Sequence, residues 1–309
     1  MASPTSGDVL ILDGGSATEL ERLGETSINA DPLWSACLLH SNPERIKQAH
    51  KNFIEAGCDV VVTATYQASV AGFCQELKIT EDEAFRLMAD GTKIARDAWR
   101  EVSESTRAGS KCLVAGSVGP YGACLHDGSE YTGKYMDNVS KQDLIDWHRP
   151  RVEALLDSKV DILAIETIPA VEEAEAVLDL LQDYPGAKAW VTFTCKDECN
   201  TCHGEKFSDA IERVAKRQGV EAVGVNCTAP QFISPLLKSI QHLNLSIPII
   251  VKPNSGEDWD TGIGFYNREK CMSVVSLVNE WKELGATWIG GCCRIYPSEI
   301  ADIKQKLKT

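Results

Sequence analysis

Positive charge is in short supply in this chain: 31 lysines and arginines stand against 45 aspartates and glutamates, for a net charge of -14 and a pI near 4.9. A field of that sign repels phosphate backbones and anionic headgroups, which speaks against nucleic acid or a membrane surface as a partner, and it draws in cationic small molecules. Long hydrophobic runs are missing too. None approaches the ~18 residues that a membrane span needs, and Met1 to Asp8 has neither the basic nor the apolar part of a secretory signal. Without such a signal, the twelve cysteines are expected to be thiols and metal ligands of a cytoplasmic protein rather than a disulfide framework. No linker rich in Pro, Gly or Ser and no low-complexity tract interrupts the 309 residues, so a short tail (1–8) and one domain (9–309) are expected.

What is present is an alternation of short β-branched runs with longer segments of helical period, the pattern of repeated βα units around a parallel sheet. Eight runs stand out: Val9 to Asp13, Val60 to Thr65, Cys112 to Ser117, Ile162 to Glu166, Ala189 to Thr194, Ala222 to Cys227, Ile247 to Lys252 and Trp288 to Cys292. Between them, Pro43 to Ala56 and Ile211 to Gln218 read as helices, with Asn42 as an N-cap and Gly57 and Gly219 as C-terminal glycines. No G-x-G-x-x-G follows the first run, which argues against an open dinucleotide-binding sheet. The expected fold is a single (β/α)₈ TIM-type barrel, with long loops after the third strand (Pro120 to Ser140) and the fifth (Lys196 to Lys206) at its catalytic face.

In such a barrel the catalytic groups come from the carboxyl ends of the strands. Cys227 and the pair Cys292 and Cys293 lie at such ends, two strands apart, and three sulfurs there can hold Zn2+ with a fourth position left for substrate. The pair can share one metal only where the backbone turns, and Gly290 and Gly291 are expected to supply that freedom. Burial as small hydrophobes is the competing account. A second cluster, Cys195, Cys199, Cys202 and His203, has spacing compatible with a structural metal site. Asp13 and Glu166 suit an ammonium group, with capping or ion pairing as the alternatives; Gly14, Gly15 and Ser16 open a helix able to receive a carboxylate. Trp34 and Tyr66 offer π faces to a cation, and the polar strand ends Thr65 and Asn226 complete the expected substrate contacts. The strand ends carry neither histidine nor a clear general base, which disfavours zinc-assisted hydrolysis.

With D-G-G-S-A-T-E-L at Asp13, D-P-L-W-S-A at Asp31, T-A-T-Y-Q-A-S at Thr63, E-T-I-P at Glu166, G-V-N-C at Gly224 and G-G-C-C at Gly290, the chain resembles the homocysteine S-methyltransferases. The resemblance implies a zinc-containing barrel that makes methionine from homocysteine, usually with S-methylmethionine as donor and with S-adenosylmethionine as another. It implies Cys227, Cys292 and Cys293 as zinc ligands and Asp13 and Glu166 as contacts to the homocysteine ammonium. Related betaine-using enzymes carry an additional C-terminal arm for oligomerisation. This chain ends soon after the last barrel helix, which favours the S-methylmethionine branch and a monomer or small homo-oligomer. A betaine- or selenocysteine-using methyltransferase and a non-catalytic zinc- or thiol-binding barrel are the alternatives. The Cys195 to His203 loop is no part of the family's zinc motif.

Overall fold

A computed structural model describes residues 9–106, 112–260 and 264–308; the tail expected at 1–8 lies outside them. Eight parallel strands form the barrel: β1 (Leu10–Ile11), β2 (Val60–Val62), β3 (Leu113–Val118), β4 (Ile162–Ile168), β5 (Ala189–Phe193), β6 (Val220–Asn226), β7 (Ile249–Lys252) and β10 (Ala286–Ile289). Between β7 and β10 an antiparallel hairpin, β8 (Asp258–Asp260) and β9 (Gly264–Tyr266), stands apart from the sheet. Each strand pairs with its neighbour in chain order, β1 pairs with β10, and a parallel bridge between Leu12 and Val60 closes the circle. All eight expected barrel strands are found, most of them shorter than the apolar runs that announced them, because the polar ends of those runs leave the ladder to form the rim.

The strands are buried on both faces, which is why they read as continuous apolar runs rather than as alternations. Their inner side chains form a plug in the barrel that includes Leu12, Val62, Ala164 and Ile250. Trp190 and Trp288 fill its centre edge to face, with ring centroids 5.9 Å apart. The outer side chains meet the helical ring in a larger core. The helix Pro43–Ala56 has the expected bounds and ends at Gly57 in the left-handed region (φ 95°). Other details differ. Asn42 holds the N-cap position with Pro43 after it, as expected, but its side chain makes no capping hydrogen bond and its amide donates to Glu25 (2.8 Å). The helix expected at Ile211 to Gln218 spans Phe207–Ala215 and is capped by Lys216. Gly219 therefore caps no helix; it turns the chain into β6 at φ 84°, where a Cβ would lie 2.8 Å from the Ala187 carbonyl oxygen.

The tryptophan plug generates a stability prediction. Trp190→Ala should cost about 3–5 kcal/mol, as expected for emptying an aromatic site in a core that cannot collapse. Urea unfolding followed by circular dichroism measures this, and a loss below ~1 kcal/mol would show that the interior closes over the gap.

Candidate metal and substrate site

Strand β6 ends at Asn226, and the next residue, Cys227, takes a positive φ of 47° while its N–H still donates to the Lys252 carbonyl (2.9 Å). A non-glycine residue in that region is strained by roughly 1–2 kcal/mol, and here the strain turns the sulfur inward over the barrel mouth. Beyond β10, Gly291 N–H donates to the Asp13 carbonyl (2.9 Å) and Cys292 N–H to that of Pro253 (2.7 Å); the chain then turns at Arg294 (φ 64°). Gly290 and Gly291 are needed for space rather than for unusual dihedrals: a Cβ on Gly291 would lie 2.3 Å from Ile295 Cγ2, and one on Gly290 would lie 2.6 Å from the Asp13 carbonyl oxygen. The turn at Arg294 follows the pair at once.

These turns gather three sulfurs. Cys227 Sγ lies 3.7 Å from Cys293 Sγ, Cys292 Sγ lies 4.0 Å from Cys293 Sγ, and all three fall within 4.8 Å of one another. Tetrahedral zinc with bonds of ~2.3 Å needs sulfurs separated by about 3.8 Å, so the triangle fits the ion. Its electrostatics point the same way. Hydrogen bonds from Cys292 and Cys293 hold Cys227 well below the usual thiol range, and the resulting thiolate pushes Cys292 up to about 12 and Cys293 well above the usual range. The three thiols oppose one another's ionisation, and a divalent cation bound among them would favour the thiolates.

The second cysteine cluster does not converge. Cys199 is exposed, and Cys202 is buried and directed at Thr194 Oγ1 (3.7 Å). His203 pairs with Glu205 (3.2 Å), and among the described residues only Cys227, Cys292 and Cys293 group as metal ligands. The loop packs instead against its neighbour: a Cβ on Gly133 would lie 2.8 Å from His203 Cβ.

Below the sulfurs lies a pocket of about 120 Å³, lined among others by Asp13, Gly14, Gly15, Ser16, Trp34, Tyr66, Glu166 and the three cysteines. Its floor is a charged triad that sequence reasoning missed in part. Lys252, 3% exposed at the end of β7, donates to Asp13 Oδ1 (3.0 Å) and faces Glu166 Oε2 at 3.8 Å. Asp13 Oδ2 accepts the Val62 N–H (2.7 Å), and Glu166 Oε1 accepts the Ser117 hydroxyl (2.6 Å). Asp13 is thus held at both oxygens, whereas Glu166 keeps more free acceptor capacity. Lys252 was legible only as a strand end; a lone lysine closing an apolar run carries no further signal.

Asn226 and Thr65 do not line the pocket. Asn226 accepts the Thr167 N–H and donates to the Thr167 hydroxyl, both at 2.7 Å, and so clamps a residue held at φ 60° beside Glu166. Thr65 bonds Thr63 (2.7 Å) and the Ser117 carbonyl (2.8 Å), which braces β2 against β3. Two further residues come from the loop after β3. Tyr131 brings its hydroxyl to 3.3 Å from Cys227 Sγ, and Glu130 joins the pocket lining.

Residues 10–307 match the family model described as homocysteine S-methyltransferase. The chain belongs to that family. Homocysteine S-methyltransferase 1 of Arabidopsis thaliana is 42% identical, covering 98% of this chain and 94% of its own length. Betaine-homocysteine S-methyltransferase of Drosophila melanogaster is 39% identical, covering 96% and 93%. The metallated form of the homocysteine methyltransferase MmuM from Escherichia coli superposes with a TM-score of 0.85 at 39% identity, covering 97% of each chain. Family membership and the parallel eight-stranded ring agree that this is a (β/α)₈ methyltransferase.

A pH dependence follows from the burial of Glu166. Desolvation pushes its carboxyl from 4.5 up to about 6, against the pull of Lys252 and the Ser117 hydroxyl. A carboxyl whose value is higher folded than unfolded adds stability at low pH, fully below about 4.5, and that stability is lost as the pH rises through about 6. Glu166→Gln, neutral throughout, should therefore gain on wild type across this window by on the order of 2 kcal/mol. Urea midpoints at a series of pH values give the difference; a gap that does not change with pH would show that the carboxyl is well solvated.

Proposed function

We propose that this methyltransferase moves a methyl group from a sulfonium donor, S-methylmethionine foremost, to the thiol of L-homocysteine, with zinc held by Cys227, Cys292 and Cys293. The observation that carries the reading is the sulfur triangle of metal-binding dimensions on the wall of a pocket lined by Asp13, Glu130 and Glu166. When bound, the ion would supply Lewis acidity that keeps a substrate thiol deprotonated at neutral pH, which matters because the thiolate is the nucleophile.

The chain's own residues do the rest. Glu166, with Asp13 and Lys252 behind it, receives the homocysteine ammonium: two carboxylates against one lysine leave the floor one positive charge short. Gly14 and Gly15 let the chain before Ser16–Arg22 run in backbone contact with 292–295, and the free N–H groups at that helix start are what would receive the substrate's carboxylate. Trp34 and Tyr66 present aromatic walls to the cationic donor, a contact worth about 0.5–2 kcal/mol each. Asn226 and Thr65 act by positioning Thr167 and Ser117. Alignment of nucleophile, methyl carbon and leaving sulfur in a site closed to water is what such walls contribute to an in-line displacement. The twelve free thiols accord with a reducing, cytoplasmic setting.

The test combines metal analysis with a donor panel. Wild type should contain one zinc per chain and form methionine from homocysteine and S-methylmethionine, faster than with S-adenosylmethionine or betaine. Cys227→Ala, Cys292→Ala and Cys293→Ala should each lose most zinc and most activity while keeping the barrel's circular dichroism, whereas a Cys199→Ser, Cys202→Ser double variant keeps both. Wild-type zinc in all three triad variants, or metal loss in the loop variant, would sink the assignment; faster turnover with betaine or with selenocysteine as acceptor would favour the alternatives.

A further inference from the structure

The loop between β3 and the helix Lys141–Asp157 leaves one chemical question open. Glu130, in the short turn Ser129–Tyr131, is 6% exposed and lines the pocket, and its Oε2 is buried with no hydrogen-bond partner. Among the described residues it makes no ion pair, and the one basic residue lining the pocket, Lys252, is committed to Asp13 and Glu166. Buried polar atoms are nearly always paired, and an orphaned carboxylate oxygen costs on the order of kilocalories unless something satisfies it.

The loop is built to hold that carboxylate in place. Tyr131 N–H donates to the Gly128 carbonyl (3.0 Å), Gly133 N–H to that of Ser129 (2.7 Å) and Ser129 N–H to Asp127 (2.9 Å). The Tyr121 N–H (2.6 Å), His148 Nε2 (3.0 Å) and the Tyr135 hydroxyl all engage the fully buried Glu173. Thus Tyr121 and Tyr135, on either side of the turn carrying Glu130, are tied to the helix Val171–Leu180, and the neighbouring Tyr131 hydroxyl reaches Cys227 Sγ at 3.3 Å. The carboxylate lines the same pocket as the three cysteines, on another element from Asp13 and Glu166.

We propose that Glu130 receives the α-ammonium of the methyl donor, and so makes the site selective for donors that are themselves amino acids. This deepens the sulfonium reading given above and rests on it. The chemistry favours an ammonium over a bare sulfonium: a sulfonium centre offers charge alone, whereas an ammonium offers charge and the N–H donors that Oε2 lacks. Two substrates that each carry an α-amino group need two separate acidic receivers. The floor supplies one and the loop the other. Burial also pushes the Glu130 carboxyl from 4.5 to about 7, so a cation is what favours its ionised form near neutrality.

The test is steady-state kinetics on zinc-loaded wild type and Glu130→Gln with S-methylmethionine and with 3-dimethylsulfoniopropionate, a sulfonium without the amine. The latter is used as substrate or, if unreactive, as competitive inhibitor. Removing one partner of a desolvated charge pair should lower kcat/KM for S-methylmethionine by on the order of 10- to 1,000-fold. The constant for the desamino sulfonium should change less than about threefold, and the KM for homocysteine should stay within about twofold, since neither contact is touched. Zinc content and the urea midpoint of Glu130→Gln, together with partial rescue by Glu130→Asp, separate a lost contact from a damaged loop. Equal loss on both sulfoniums, a loss falling on homocysteine, or no loss at all would overturn the proposal. A wild type inert toward S-methylmethionine but active with S-adenosylmethionine refutes the donor reading alone, and Glu130 is then judged on that donor, which also bears the amine. Activity with betaine alone refutes both.

Discussion

The site depends on one buried ammonium. Lys252 reaches across the barrel mouth from β7 to Asp13, at the end of β1, and toward Glu166 on β4, so three strands far apart in sequence are joined at one nitrogen. Taking three charges out of water is expensive, and the arrangement holds only because the remaining lone pairs find the Val62 N–H and the Ser117 hydroxyl. What results is a preorganised acidic floor that does not have to assemble when substrate arrives. The sulfur triangle depends on the same frame, since the Cys227 N–H is fixed by the Lys252 carbonyl and the Gly291 N–H by that of Asp13.

Much of the architecture was legible because the physics that shapes it is local. A strand buried on both faces must be apolar throughout, so eight apolar runs announce eight strands. Gly-Gly-Cys-Cys marks the rim, although the glycines are there because the backbones of 13–15 and 290–295 touch, and not because a dihedral demands them. Asp13 and Glu166 were readable as carboxylates at strand ends, and ion pairing, one of the alternatives open for them, is what the structure shows, with Lys252 between the two.

What stayed hidden is what long-range contact decides. Lys252 looks like an ordinary strand end until the barrel closes and places it between two acids 239 and 86 residues away in the chain. Asn226 and Thr65 sit among the functional strand ends, yet spend their hydrogen bonds on Thr167, Thr63 and the Ser117 carbonyl. Glu130 and Tyr131 lie in a segment without helical period, built of single 3₁₀ turns. No sequence pattern distinguishes an acid that enters a pocket from one that faces water. The cysteines at 195 to 203 illustrate the converse: their spacing suggests a metal, yet among the described residues they form no group of metal ligands, and Cys199 faces solvent while Cys195 and Cys202 are buried.

The anchoring of the loop after β3 has a consequence for how such enzymes diversify. The loop contributes no strand to the barrel, and it is fastened through Tyr121 and Tyr135 to Glu173, on a helix outside the sheet, through the packing of Gly133 on His203, and through the Tyr131 hydroxyl at Cys227. The floor and the sulfurs, by contrast, are woven into the strand ends. Replacing the segment between Pro120 and Ser140 therefore leaves the ring of strands intact, while changing what stands against Cys227 and the pocket mouth.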